Sequence, residues 1–269
     1  MDWGKTKTIF IIVFSIVNIF LYSLYVNQQD QVKNVEVLGS VSVAETLKLD
    51  NIKYDALPQG EFDSSYISAN IVKFTEEITS SLKGQTPTIE NETTLRSSLE
   101  KPYAIFNTAG NLHQVEEFLE KYVYWGEQYM VWEVDKENHT VTLFQQVFDE
   151  PIYYSPSAQL KLYFNRDGEV YRYEQRMLDA FVSFNRKKDL VTPFEAISSL
   201  STRGKLRPNS TIKQVKLGYS TLVQFTENQV FAPTWQVEVE LEDGTIENYF
   251  VNAIEGKVVD LKQEKSIEE

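Results

Sequence analysis

Between Thr8 and Gln29 the chain carries no charged side chain, and from Ile9 to Val26 it reads IFIIVFSIVNIFLYSLYV. About eighteen such residues form a helix of about 27 Å, close to the hydrocarbon thickness of a bilayer. The stretch is too long for the apolar part of a cleaved signal, and large residues follow it where a cleavage site needs small ones. It predicts an uncleaved, membrane-spanning helix over residues 9–26. Lys5 and Lys7 precede it and Asp30 follows, which predicts a cytoplasmic N-terminus and a bulk that is extracytoplasmic. Ser15, Asn18, Tyr22 and Tyr25 recur at i, i+3, i+7 and i+10, on one side of that helix. An amide amid apolar residues is more comfortable bonded to another helix than facing lipid. These four are candidate interaction residues, with backbone bonding of Asn18 and an aromatic belt of tyrosines as the plainer alternative.

Some 240 residues follow, enough for one large domain or two modest ones. Fifteen Tyr and sixteen Phe rule out a disordered stalk, and the formal net charge of −13 argues against nucleic acid as a partner. With no cysteine, neither disulfides nor thiolate metal ligands hold the fold.

Residues 27–60 read as a tether and first extended segment. In SSYISANIVKFTEEITSSLKG, Ile67, Ile71, Phe74, Ile78 and Leu82 recur at steps of three and four, which predicts a helix ending at Gly84. A turn-rich stretch through Pro87 and a short strand PYAIF come next. A second helix is expected from Asn111 as N-cap, with Leu112, Val115, Leu119 and Tyr122 as its buried stripe and His113 exposed. From Gln128 onward the period is extended, with turns at Asp135–Asn138 and Asn165–Gly168, and FDEPIYYSPS reads as a long bent connection. Thr192, Pro193 and Glu195 make a strong helix start. Long strands follow, with Pro233 placed just before one of them. The expectation is an α+β fold: a first helix-plus-antiparallel-sheet domain over 61–186, a second, PepSY-like one over 187–262, and a polar tail over 263–269.

Catalytic chemistry finds little support. The two histidines, His113 and His139, stand at no zinc-ligand spacing, and no G-x-S-x-G elbow or phosphate-binding glycine loop occurs. Asp149, Glu150, Asp179 and Glu195 supply carboxylates for a glycosidase pair, but among 39 acidic residues chance pairing explains them equally well. Sequence therefore gives no catalytic, cofactor-binding or metal residue, and no cofactor. Tyr122, Tyr124, Trp125, Tyr129 and Trp132 form an aromatic run that either lines a sugar or peptide groove or packs a helix on the sheet. Tyr124, Trp125, Tyr129 and Trp132 are carried as interaction-or-core candidates.

The opening MDWGKTKTIFIIVFSIVNIFL, the pair Gly218-Tyr219 in VKLGY and the ending PTWQVEVELEDGTIENYFVNAIEGKVV together resemble the YycI family. The ending alone also resembles PepSY-like modules and YycH proteins. The resemblance implies a non-enzymatic, membrane-anchored regulator from low-GC Gram-positive bacteria. It would associate with YycH and the sensor histidine kinase WalK, which with WalR governs cell-wall homeostasis, and control would pass through the membrane helix. The alternative is an anchored PepSY-like binding or inhibitory domain that acts on an envelope enzyme or wall component without the kinase, or that takes an unidentified envelope ligand.

Overall fold

The computed structural model describes residues 3–33, 42–184, 187–224 and 228–261. The expected tail over 263–269 lies outside them, as do most of the residues joining the first helix to the rest. The chain divides into two units, Met1–Thr46 and Leu47–Glu269.

The first unit is dominated by α1 (Trp3–Lys33), 31 residues without a break. Its side chains from Phe10 to Ser23 are all exposed. Among the described residues, however, no helix is long and apolar enough to cross a membrane. The expectation of a span over 9–26 is corrected accordingly. The single-pass placement with a cytoplasmic N-terminus and the membrane as a partner are not carried forward.

α2 (Val43–Leu49) opens with Ser42 and Glu45 capping each other: Glu45 N donates to Ser42 Oγ, and Ser42 N to Glu45 Oε2. Next come β1 (Lys53–Tyr54), β2 (Asp63–Ser64), β3 (Ile67–Ile71), α3 (Glu76–Ser81), β4 (Gln85–Glu90), β5 (Thr94–Ala104) and α4 (Val115–Tyr122). A 3-10 turn at Gly126–Gln128 leads into β6 (Tyr129–Asp135), β7 (Thr140–Val147), β8 (Glu150–Tyr153), β9 (Gln159–Phe164), β10 (Glu169–Gln175), β11 (Leu178–Ser183) and β12 (Lys188–Asp189). Last are α5 (Pro193–Thr202), β13 (Thr211–Gln224), β14 (Asn228–Glu240), β15 (Ile246–Asn252) and β16 (Val258–Val259). The class is α+β.

In the N-terminal half of the sheet, β4, β5, β10, β9 and β7 run antiparallel, and β6 joins β7. Alternation explains why they pair: Leu160, Leu162 and Phe164 point inward while Lys161 and Tyr163 stay half-exposed. Val115, Phe118 and Leu119 of α4 cover that inner face together with Leu95, Val141 and Leu143. In the C-terminal half, β13 and β14 form one long hairpin, flanked by β1, β15 and β3. Pro233 lies inside β14 rather than ahead of a strand. Its outer neighbour β3 ends at the partner of Phe231 and β15 begins at the partner of Thr234, so the residue without an N–H falls where the partner changes. Its carbonyl still accepts from Ala253 N.

Helix α5 packs on β14 and β15 and buries Ala196, Ile197 and Leu200. Its start is the capping box read from sequence: Glu195 N donates to Thr192 Oγ1, and Thr192 N to Glu195 Oε2 at 2.6 Å. Thr192→Ala is expected to cost about 1 kcal/mol in urea unfolding, the usual value of such a cap.

Three other expectations are corrected. The helix over 64–84 is instead β3 and the six-residue α3. Ile67 and Ala69 are buried because β3 inserts between β11 and β14, and this pairing overrides the helical spacing. Helix α4 starts at Val115, after Gln114 in a left-handed conformation without a side-chain cap, not at Asn111. The bent connection FDEPIYYSPS contains β8. Strands from either side of residue 186 pair with one another: β2 with β12, β3 with β14, and β8 with β13.

Candidate functional site

Strand β8 is where the two halves of the sheet join. It leaves β7 through a tight turn at Phe148 and Asp149, both with positive φ, and pairs antiparallel with β7 through Glu150 and Pro151. Its other edge pairs parallel with β13, Ile152 opposite Tyr219 and Tyr153 opposite Ser220. Among the described residues it is the one strand paired with both halves. Gly218 makes the approach possible. A Cβ there would stand 2.4 Å from Tyr153 Cε2 and 2.6 Å from the Pro151 carbonyl oxygen, so only glycine fits.

Beneath this crossing lies a cluster of rings drawn from distant strands. Trp132 stacks on Phe144 at 4.9 Å, and Tyr153 and Tyr154 meet Phe250 at 5.0 and 5.6 Å. Trp132 Nε1 donates to Tyr154 Oη. Polar groups on β14 complete the floor: Tyr153 Oη donates to Gln236 Oε1, Gln236 Nε2 to Asn248 Oδ1, and the Ser220 and Thr234 hydroxyls bond at 2.7 Å. Burial pushes the Tyr153 phenol well above the ordinary tyrosine range, and burial likewise raises that of Tyr219. Neither phenol is set to release a proton near neutrality. These two phenols serve the packing of the seam rather than acid–base catalysis. Among the described residues, no three His, Cys, Asp or Glu side chains stand together as a metal site.

The sequence model of the YycI protein family matches residues 29–254. The chain belongs to the YycI family. YycI-family regulators of the WalK–WalR system are non-catalytic. A search of curated proteins found no match. Among solved structures, a Eubacterium rectale protein described as uncharacterized is 10% identical, with a TM-score of 0.45, covering 78% of this chain and 90% of its own. The Bacillus megaterium YpeB C-terminal domain is 14% identical, with a TM-score of 0.39, covering 80% and 93%.

In this YycI-family chain the four aromatic candidates separate into two pairs. Tyr129 is buried, donating to the Arg176 carbonyl, and Trp132 belongs to the seam. Tyr124 and Trp125 instead stack on each other at 5.2 Å, with Trp125 46% exposed. Their loop is fixed from within: Tyr173 Oη and Gln85 Nε2 donate to the Tyr122 carbonyl, and Gln175 Nε2 to that of Tyr124. Ser15, Asn18 and Tyr22 are exposed on α1, and the Tyr25 side chain lies outside the described residues. His113 is exposed. Asp149 and Glu150 sit at the seam, whereas Glu195 is engaged in its cap.

The YycI-like ending also has a structural reading. Asn252 Oδ1 accepts from Ile254 N and Glu255 N, and Gly256 takes φ +66 and donates to the Asn252 carbonyl. The N-A-x-x-G stretch is therefore a turn. Sequence reasoning passed over Tyr153, Tyr154 and Phe144. The available signal was Gly218 itself, a glycine inside a long strand pattern, which marks a close backbone approach.

Proposed function

We propose that this chain is a non-catalytic binding domain that regulates by docking to another protein, with the folded unit Leu47–Glu269 as the docking body. The observation that carries the reading is the extent of the family match: residues 29–254 take in nearly all of that unit and leave out the apolar stretch 9–26. The family directs the docking toward the WalK–WalR system, with YycH and the kinase WalK as the partners. The exposed Trp125, stacked on the half-buried Tyr124, is a surface suited to such a contact, because an ordered aromatic loses little freedom on binding. The Ser15–Asn18–Tyr22 side of α1 is a second contact in this proposal, supported by the exposure of all three side chains.

The test is in-cell cross-linking of the tagged full-length chain, with identification of what is recovered. WalK and YycH together support the reading. An envelope enzyme recovered without the kinase supports instead a binding or inhibitory domain that works independently of it. Trp125→Ala is expected to weaken recovery about tenfold or more, the size of a hot-spot loss. Asn18→Leu with unchanged recovery removes α1 from the contact.

A further inference from the structure

The seam carries one group that neither its packing nor the family explains. Glu150 is the first residue of β8, and its Oε2 is shielded from solvent with no hydrogen-bond partner. An ionised carboxylate with an unpartnered, buried oxygen is costly, whereas the neutral acid is much less so. The start of β8 is thus under-bonded at the carboxyl.

We propose that the β8 seam is a proton-operated coupling between the two halves of the sheet. With Glu150 protonated, β8 seats fully on β13; with Glu150 ionised, that seat loosens. The groups facing the carboxyl are few. Lys216 on β13 favours the ionised form, and Asp149 in the turn opposes it. The Tyr153 and Tyr219 phenols feel the Glu150 charge and stay neutral. Strand β7 contributes Gln146 and Val147, which carry no charge. Burial, offset in part by Lys216, holds the carboxyl above the usual glutamate range. The folded protein therefore binds this proton more tightly than the unfolded chain does. The stabilising effect is fully present below the ordinary value of 4.5 and is lost as pH rises through the higher folded-state value.

The experiment compares the full-length protein with E150Q and K216M variants between about pH 4 and pH 8, which spans the glutamate range. It reads thermal midpoints and hydrogen exchange at the amides of β8 and its partners on β13. At the alkaline end E150Q is expected to melt higher than the native chain and to exchange several-fold more slowly at β8. The two should converge at the acid end. K216M should widen the alkaline gap, because the carboxylate loses its nearby cation. The native chain alone gives a second readout: after correction for intrinsic exchange, β8 protection should fall as pH rises, while β9 and β10 do not follow. A difference between native and E150Q that is the same at every pH overturns the proposal. So does a native pH profile in which β8 protection does not change.

Discussion

Gly218→Ala is expected to destabilise the folded unit by about 3 kcal/mol, the upper part of the range for forcing extra atoms into a packed site. For a unit of this size that lowers the thermal midpoint by roughly 6–12 °C. No positive φ is involved, so the effect comes from space alone. The new methyl group would meet the Tyr153 ring at 2.4 Å and the Pro151 carbonyl at 2.6 Å. A ring can swing away, but the carbonyl can retreat only if β8 leaves β13. Adding Tyr153→Ala to the variant should therefore recover none of the strand displacement, and exchange at Ile152 and Tyr153 should stay fast. A midpoint within a degree of the native chain would mean that β8 does not lie on β13 as described.

Trp235→Ala is the second large effect, about 3–5 kcal/mol, followed by circular dichroism in urea. Trp235 is 1% exposed on β14, meets Phe62 edge-on at 5.1 Å and donates from Nε1 to the Val191 carbonyl. Val191 directly precedes the cap of α5 and donates its own N–H to Ala253. One indole thus ties the entry to α5 and the residues around Phe62 to the sheet. Trp235→Phe retains most of the apolar burial and loses that bond, so it should cost clearly less.

What was legible in the sequence was what neighbours along the chain determine. Thr192, Pro193 and Glu195 announce α5 because a capping box is a local arrangement, and Leu160, Leu162 and Phe164 announce β9 because alternation is local too. β3 was not legible. Ile67, Ile71 and Phe74 satisfy helical steps, but Ile67, Ala69 and Ile71 also alternate, and the choice between them is made by β14, far along the chain. The same holds for β8: a four-residue run with a proline looks like a loop until β13 lies beside it. Of the site, Trp132 stood out as an aromatic, yet its role depends on Phe144, Tyr153, Tyr154 and Phe250, which only the folded sheet assembles. The aromatic run 122–132 therefore looked like one feature and is two, one packed and one presented at the surface.

The central claim is that the folded unit makes the principal regulatory contact, to which α1 only adds. It is tested most directly by cross-linking in native cells, comparing the full-length chain with one whose residues 1–28, ahead of the family match, are replaced by an unrelated helix of equal length. The account predicts that the sensor kinase and YycH are recovered with both chains, in somewhat smaller amounts where residues 1–28 are replaced. Recovery with the native residues 1–28 alone would contradict it and place the contact on α1.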